Sequence, residues 1–397
     1  MLTANDFMNI INDSYFYNLK KMKNKYGDIN IKEVIKILKS TFYKYIPVCD
    51  FKNNDIAYAP SLININDDVY KILISGNNSK NYSIEKMENE IHSTLKIENI
   101  NSDRNSIRNI LKGAEPKNND ENKIYGIKKG LDFISVKSNI ISEENLYRLY
   151  IESIGFYLED ENKLLEGNYY RHDSVYVVGN KVSHCGLPHR LLKNYMNKFI
   201  DFINTKDGIN TLEKSAIIHF YFAYIHPYFD GNGRMARLVQ LWYLIQNGFN
   251  AALMVSFSNL ISDTKNEYYK SFETIEENIQ TLGLVDVTPF ICYFNTNIFN
   301  KLSAPRSEKN TNLLDKINSF INTEQITFKE KELFAYVISH YGSREFSTKK
   351  LEKDFGNAAY ATIRSFVIKF TKLGIFSCIK YSGNRNKYKF IDKPFPV

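Results

Sequence analysis

The sequence predicts a mainly α-helical protein that carries a small β-hairpin in its middle and a separate helical module with a hairpin at its C-terminal end. Apolar residues recur at helical spacing through most of the chain, which is typical of packed helices. One central segment, 175–182, instead places β-branched residues around Gly179-Asn180 and predicts the first hairpin. A hairpin pattern also follows two predicted helices near the C-terminal end.

The length of the chain indicates several domains, because 397 residues exceed what one small core usually holds. An N-terminal helical region spans 1–112 and contains a loop near 47–60. Polar residues at 113–120 separate it from a mostly helical central region at 125–302. A second polar stretch, 303–310, precedes the C-terminal module at 311–397.

Two predicted helices of the central region are joined by a short loop. Asn210 followed by Glu213 predicts a capping box at the start of the first helix. That helix must end by Pro227, because proline disfavours helical backbone in the residue before it. The second helix begins within 231–233 and runs to about 247, where Gly248 is a natural stop. The loop therefore leads directly into a helix N-terminus.

The C-terminal module is predicted to be a winged helix. Helices at 348–355 and 359–373 are followed by a strand from 374–376 and a hairpin that turns at Gly383-Asn384. In a winged helix the following polar or basic residues would face DNA: Tyr360, Arg364, Lys369, Arg385 and Lys387.

The charge of the chain is concentrated in that module. Residues 310–397 contain 15 Lys or Arg against 8 Asp or Glu, so this segment carries almost all of the net charge of +8. Basic surfaces of this kind bind nucleic acid or acidic proteins, or remain solvated without a partner. DNA is therefore one candidate partner of 311–397, and a protein is the alternative.

Cysteine usage and the N-terminal sequence indicate a cytoplasmic protein. The four cysteines have neither metal-ligand spacing nor the pattern of a disulfide framework. The first residues lack the basic and apolar segments of a signal peptide. The best candidate for a membrane span, 238–245, is too short and contains Gln240.

The most informative stretch of the chain is the loop between the two central helices. Its sequence is His226-Pro227-Tyr228-Phe229-Asp230-Gly231-Asn232-Gly233-Arg234-Met235-Ala236-Arg237. Two glycines and a helix N-terminus make an anion site, and two arginines three residues apart can each grip phosphate oxygens. The carboxylate is explained if Mg2+ lies between it and phosphates, and the imidazole can remove a proton from a hydroxyl. These groups predict transfer from a nucleotide to a hydroxyl group.

This loop resembles the signature of Fic domains, HPFxDGNGRxxR, with Tyr228 where the family usually has Phe. The resemblance covers roughly 125–302. Outside the loop, residues that resemble the family's flap and its later helices are Gly167, Arg171, 175–178, Pro188, Tyr268, Tyr269 and 286–290. It implies a Fic-type helical core in which a hairpin flap at about 175–182 binds the protein substrate by strand addition.

The resemblance implies transfer of AMP from ATP to a Ser, Thr or Tyr hydroxyl, including hydroxyls of the protein itself. The implied roles are a base for His226, a Mg2+ ligand for Asp230, contacts to the α-phosphate for Gly231, Asn232 and Gly233, and contacts to the outer phosphates for Arg234 and Arg237. Gly233 favours AMP transfer, because the death-on-curing branch, which phosphorylates, has Lys there. Tyr269, with Tyr268, is a candidate for the adenine pocket, since aromatic faces stack on bases.

A second motif lies in the N-terminal region. Thr94, Glu98 and Asn99, at the end of a helix predicted from residue 83, are similar to the family's inhibitory motif [ST]xxxE[GN]. Glu98 would engage Arg237 and keep it from the γ-phosphate, so ATP would not be aligned for attack. A homo-oligomer is consistent with this resemblance, because changes in assembly can release inhibition in the family.

Two other functions remain open from the sequence. The protein could be a DNA-binding regulator whose Fic core senses nucleotide, or a hydrolase that removes AMP with Glu98 positioning a water. Other candidates are interpreted more simply: His219 as a buried, hydrogen-bonded histidine, Trp242 as core, and His172, His184 and His189 near the hairpin as surface residues.

Overall fold

A computed structural model describes residues 2–13, 16–50, 52–74, 84–178, 183–303, 326–341, 345–356, 358–381 and 385–390. The chain divides into two compact units, one of Met1–Tyr82 and Lys86–Ser303, the other of Ser83–Glu85 and Ala304–Val397. The fold is mainly helical, as predicted. The linker predicted beyond residue 303 and the turns at Gly179-Asn180 and Gly383-Asn384 lie outside the described residues.

Most of the described residues as far as 303 belong to α-helices. They are α1 (Ala4–Ile11), α2 (Leu19–Tyr26), α3 (Asp28–Ile37), α4 (Asp67–Ile74), α5 (Ile84–Ile97), α6 (Arg104–Leu111), α7 (Asn119–Ser135), α8 (Glu143–Ser153), α9 (Leu192–Asn204), α10 (Thr211–Ile225), α11 (Asn232–Gln246), α12 (Phe257–Asp263), α13 (Lys265–Leu282), α14 (Thr288–Phe294) and α15 (Asn300–Ser303). None of the described helices is long and apolar enough to cross a membrane.

A small sheet replaces the loop predicted near 47–60, so that prediction was wrong. Strands β1 (Lys44–Cys49) and β2 (Asp55–Tyr58) pair antiparallel, and two residues at 285–286 add in parallel to β2. Pro47 is tolerated because β1 is an edge strand and its register shifts between Ile46 and Cys49. The N–H that proline lacks is therefore not needed for hydrogen bonding between the strands.

The helices α10 and α11 form the centre of the first unit and pack against each other. Nearly every residue of both helices is buried, so α10 has apolar neighbours on all sides rather than on one face. Asn210 caps α10 as predicted, accepting from the backbone N–H of Leu212 and Glu213. Glu213 does not complete a capping box, because its buried carboxyl bonds to Tyr58 instead. Trp242 is fully buried, as expected.

The hairpin in this helical unit is present. Strands β3 (Tyr176–Val178) and β4 (Ser183–Cys185) pair antiparallel between α8 and α9. At its base, the Gly186 N–H donates to the Val175 carbonyl at 3.1 Å, and the Leu187 N–H donates to the Ile225 carbonyl at the end of α10 at 3.1 Å. The hairpin is therefore attached to the helix that carries His226.

Helix α5 is fixed to its neighbours by buried carboxylates. Glu90, 7% exposed, accepts hydrogen bonds from Ser256 and Ser258 beside α12. Glu88, 3% exposed, pairs with Arg104 and Arg108 of α6. These contacts place the C-terminal end of α5 against α11, where the two predicted motifs meet.

The second unit has its own apolar core. The short strand β5 (Val285–Asp286) still belongs to the first unit. The described elements of the second unit are α16 (Phe328–Tyr341), α17 (Thr348–Phe355), α18 (Tyr360–Lys372), β6 (Phe376–Tyr381) and β7 (Arg385–Phe390). The two strands pair antiparallel, and Phe346 forms a bridge with Tyr388. Leu333, Phe366 and Phe370 are among the core residues.

Two of the residues predicted to face DNA are engaged within this unit. Lys369 pairs with Glu330 at 2.9 Å, and Lys387 pairs with Glu345 at 3.3 Å. Tyr360 and Arg364 are exposed on α18, and the Tyr360 hydroxyl lies 3.3 Å from Thr348 Oγ1. The side chain of Arg385 lies outside the described residues.

Candidate active site

The imidazole of His226 lies at the C-terminal end of α10, where the backbone turns sharply. His226 has φ 57° and ψ 63°, so it caps the helix in the left-handed conformation that residues other than glycine rarely adopt. Its Nδ1 lies 3.1 Å from the Ala223 carbonyl. A carbonyl oxygen can only accept, so in the neutral ring Nδ1 carries the proton and Nε2 keeps its lone pair. Nε2 is thus the basic nitrogen.

The loop after His226 is shaped by Gly231 and Asn232. Gly231 has φ 81°, and a Cβ there would lie 2.5 Å from Ile154 Cδ1, so only glycine fits. The Asn232 side chain accepts from the Tyr228 N–H at 2.9 Å and donates to the Tyr228 carbonyl at 2.8 Å. Its amide therefore fixes the loop, and the backbone N–H groups at the start of α11 are left for an anion.

Tyr228 is buried, as its place in the motif predicted. Its ring stacks on Tyr150 with centroids 3.6 Å apart and planes 7° from parallel. Its hydroxyl is buried without a hydrogen-bond partner, and burial raises the pKa of Tyr228 well above its ordinary value. The substitution for Phe therefore affects packing rather than the chemistry of the loop.

Asp230 and Arg234 form an ion pair at the mouth of the loop. Arg234 Nη2 lies 2.9 Å from Asp230 Oδ2, and Arg234 Nη1 donates to the Tyr157 hydroxyl. The Arg234 side chain is 2% exposed, whereas that of Asp230 is 52% exposed. Burial raises the pKa of Tyr157 to about 12, so it is a neutral partner of Arg234. The site thus presents an accessible carboxylate beside a buried guanidinium.

Arg237 binds the end of α5. Its Nε donates to Thr94 Oγ1 at 2.7 Å, and its Nη2 donates to Glu98 Oε1 at 2.6 Å and to the Thr94 carbonyl at 3.2 Å. The remaining nitrogen, Nη1, is buried without a hydrogen-bond partner. A buried guanidinium with an unsatisfied donor retains capacity for one more acceptor.

The Glu98 carboxylate also lies against the N-terminus of α11. A Cβ added to Gly233 would approach Glu98 Oε1 more closely than van der Waals contact allows. Glu98 is therefore seated where the exposed N–H groups of the helix favour an anion. Asn99, next along the chain, has φ 57° and accepts a hydrogen bond from Lys265 at 2.8 Å.

The aromatic pair after the loop divides between core and surface. Tyr268 is 3% exposed and its hydroxyl lies 2.9 Å from His219 Nε2. His219 is fully buried, also contacts Gln240 through Nδ1, and burial lowers its pKa to about 3. It is a neutral, hydrogen-bonded core residue, as expected. Tyr269 is 41% exposed and lies beside the end of α5, which leaves its ring accessible.

Sequence reasoning missed two residues of this site. Tyr157 holds Arg234 from 77 positions away, and no local pattern connects the two. Arg171 was noted for its resemblance to the family alone, yet its buried guanidinium donates from Nε to the His226 carbonyl at 2.7 Å. A basic residue in a loop gives no signal that it will be buried against backbone.

The acidic and imidazole groups of the site do not form a metal cage. Among the described residues, no three His, Cys, Asp or Glu side chains come together in a way that could hold a metal ion. Asp230 offers one accessible carboxylate, which suits Mg2+ because that ion commonly keeps waters and substrate phosphates as its other ligands.

The helical architecture and the glycine loop between α10 and α11 are similar to those of known proteins. Residues 141–244 match the Fic/DOC family, so this segment is similar to a Fic domain. A solved Fic family protein from Desulfovibrio desulfuricans G20 has the same fold, with a TM-score of 0.51 and 17% identity over 84% of this chain and 98% of that one.

Part of the chain is also similar to curated proteins from other organisms. The chain is 24% identical over 174 residues to the Probable protein adenylyltransferase aq_aa38 of Aquifex aeolicus, covering 41% of this chain and 49% of that protein. It is 26% identical over 178 residues to the Protein adenylyltransferase Fic of Nematostella vectensis, covering 43% and 36%. The matched segment thus spans half or less of these relatives.

Proposed function

We propose that the protein is an autoinhibited adenylyltransferase that moves AMP from Mg-ATP to a Ser, Thr or Tyr hydroxyl of a protein, including its own. The observation that carries this proposal is the position of a basic His226 Nε2 beside a glycine loop and helix N-terminus backed by Arg234 and Arg237. The naming of the matched relatives as protein adenylyltransferases supports the same reaction.

The reaction follows from this arrangement. His226 Nε2 takes the proton from the target hydroxyl as its oxygen attacks the α-phosphorus. An oxygen–phosphorus bond forms to the target, the bond between the α-phosphorus and the bridging oxygen breaks, and pyrophosphate leaves with that oxygen. The proton stays on the imidazole until it passes to solvent.

Each remaining group of the site has a role in holding the nucleotide. The N–H groups of Asn232 and Gly233 would bind the α-phosphate, joined by the Gly231 N–H once it leaves Asp230 Oδ1, to which it donates at 2.6 Å. Arg234 and Arg237 would bind the outer phosphates. The unsatisfied Nη1 of Arg237 suits this role. Mg2+ held by Asp230 would neutralise phosphate charge, and the accessible ring of Tyr269 would stack on adenine.

Inhibition would come from the end of α5. Thr94 and Glu98 occupy two of the three nitrogens of Arg237, and the Glu98 carboxylate fills the anion position beside Gly233. Asn99 supports this end of the helix, because its left-handed backbone ends α5 directly after Glu98. ATP in its reactive pose would have to displace the carboxylate, so the resting protein should transfer AMP slowly.

The proposal is tested with ATP labelled at either the α- or the γ-phosphate. Full-length protein carrying Glu98→Gly should incorporate the α-label and not the γ-label, and adding His226→Ala should abolish incorporation. Incorporation of the γ-label would indicate phosphorylation instead. No incorporation of either label into the protein or into a lysate would overturn the proposal.

A hydrolase that removes AMP is a second candidate. Glu98 is partly exposed at 29% and lies at the α11 N-terminus, where it could orient a water toward an α-phosphate. Wild-type protein incubated with AMP-modified Glu98→Gly protein would release AMP if this function holds. A stable modification would exclude it for that substrate.

A DNA-binding regulator is the third candidate and rests on the second unit. Three helices followed by an antiparallel hairpin, with Phe346 bridging to β7, follow the order of a winged helix. Exposed Arg364 and Tyr360 on α18 support contact with DNA. Gel retardation that weakens as salt rises and with Arg364→Ala would support it, and no retardation at low salt would exclude it.

A further inference from the structure

We infer that Arg171 is a positioning residue that couples the hairpin, the proposed docking site of the protein substrate, to the basic nitrogen of His226. This inference rests on the proposed AMP transfer. It assigns a role to a buried cation that donates hydrogen bonds to backbone carbonyls of the hairpin and of the turn at His226.

The first observation is that Arg171 donates hydrogen bonds to the backbone at the turn that carries His226. Its Nε donates to the His226 carbonyl at 2.7 Å, and its own N–H donates to the Pro227 carbonyl at 3.0 Å. Two consecutive carbonyls at the end of α10 are thus bound by one residue. Because His226 is held in a left-handed conformation, its backbone needs such contacts to stay there.

The second observation is that the same guanidinium holds both ends of the hairpin. Nη1 donates to the Asp173 carbonyl at 2.5 Å, just before β3, and Nη2 donates to the Leu187 carbonyl, just after β4. The Arg171 side chain is 2% exposed, so these hydrogen bonds are shielded from water. A fork of planar donors can reach three carbonyls at once, which an ammonium group on a flexible stem cannot do in the same geometry.

The third observation is the close packing between Arg171 and His226 at Gly186. A Cβ on Gly186 would lie 3.0 Å from Arg171 Nη2, 3.2 Å from His226 Cβ and 2.9 Å from Val175 Cγ2. A Cβ here would crowd all three side chains, because the hairpin base, the guanidinium and the imidazole stem meet at this point. A shift of the hairpin is therefore transmitted to the imidazole rather than absorbed.

Nucleotide binding and positioning of the imidazole therefore depend on different residues of the site. The nucleotide is bound by the α11 side, through Arg234 and Arg237, whereas Arg171 sets where the imidazole stands relative to a substrate strand on the hairpin. Loss of Arg171 should therefore slow the chemical step and leave nucleotide affinity intact. Because small displacements of a reacting group are costly, we expect kcat to fall about 10- to 100-fold.

The test compares Arg171→Lys with its parent, both carrying Glu98→Gly in the full-length chain. We expect a fall in kcat, an unchanged Kd for Mg-ATP, and shifted NMR signals of the His226 ring in protein with isotopically labelled histidine. Arg148→Lys is the matched control, since Arg148 is a half-exposed arginine on α8 that pairs with Glu152. It should behave as the parent does.

Gly186→Ala provides a second variant that keeps the charge of Arg171. It should shift the same His226 signals and lower kcat without changing the Kd for Mg-ATP. Unchanged kcat and His226 signals in both variants, or a loss of nucleotide affinity in parallel with kcat, would overturn the inference. If the parent itself transfers no AMP, the proposed function fails, and the NMR and binding measurements still decide the role of Arg171.

Discussion

The contact between Glu98 and Arg237 makes a quantitative prediction about nucleotide binding. The two side chains are joined at 2.6 Å, with Arg237 4% and Glu98 29% exposed. Because Glu98 is partly solvated, the free energy of the Glu98–Arg237 contact is closer to that of a single charge-assisted hydrogen bond, about 1.5–3 kcal/mol, than to that of a fully buried pair. Each 1.4 kcal/mol is about tenfold in Kd, so Glu98→Gly should bind Mg-ATP about 10- to 100-fold more tightly.

Isothermal titration calorimetry of wild type and Glu98→Gly with Mg-ATP measures this change directly. AMP should gain less affinity than ATP, because it can enter the anion position that Glu98 leaves beside Gly233 but has no outer phosphates to contact Arg237. Lys96→Gly is the matched control, since Lys96 is an exposed residue in the last turn of α5, two positions before Glu98. Equal affinities of wild type and Glu98→Gly for Mg-ATP would refute competition between Glu98 and the nucleotide.

Three further predictions concern the helix α5 and the loop. Thr94→Val removes one acceptor from Arg237, so labelled AMP transfer should lie between wild type and Glu98→Gly; a rate equal to wild type would contradict this. Tyr228→Phe removes a buried hydroxyl without a partner and should stabilise the protein by about 1–3 kcal/mol in urea unfolding, whereas a lower midpoint would contradict it. Burial raises the pKa of the Glu90 carboxyl in the folded protein. The neutral carboxyl therefore stabilises the fold fully below the ordinary pKa of 4.5, and this stabilisation is lost as pH rises through the raised pKa. Glu90→Gln should therefore gain Tm over wild type as pH rises, and parallel Tm profiles would contradict this.

The local features of the site could be predicted from the sequence because they depend on neighbouring residues. Pro227, which precedes the glycine turn, made the end of α10 predictable. Gly248, with φ 87°, marks the end of α11 in the same way. The meeting of Glu98 with Arg237 joins residues 139 apart, and only the resemblance to a family made it predictable. No pattern of neighbouring residues connects two positions that far apart in the chain.

Other features depended on tertiary contacts and could not be predicted. Pro47 was interpreted as part of a loop because nothing in the sequence indicates that its strand lies at the edge of a sheet. Lys369 was assigned to a DNA-facing surface, but its partner Glu330 lies on another helix of the second unit. Arg171 was noted only for its resemblance to the family, and its contacts could not be predicted because its three acceptors are backbone carbonyls at separate places in the chain.

Intact-protein mass spectrometry tests the central claim most directly. Full-length Glu98→Gly protein is incubated with Mg-ATP, and peptide fragmentation then locates the modification. The account predicts added mass equal to one or more adenylyl groups, each on a Ser, Thr or Tyr hydroxyl, and no added mass when His226→Ala is also present. Added mass of a phosphoryl group, or adenylylation that persists with His226→Ala, would contradict it.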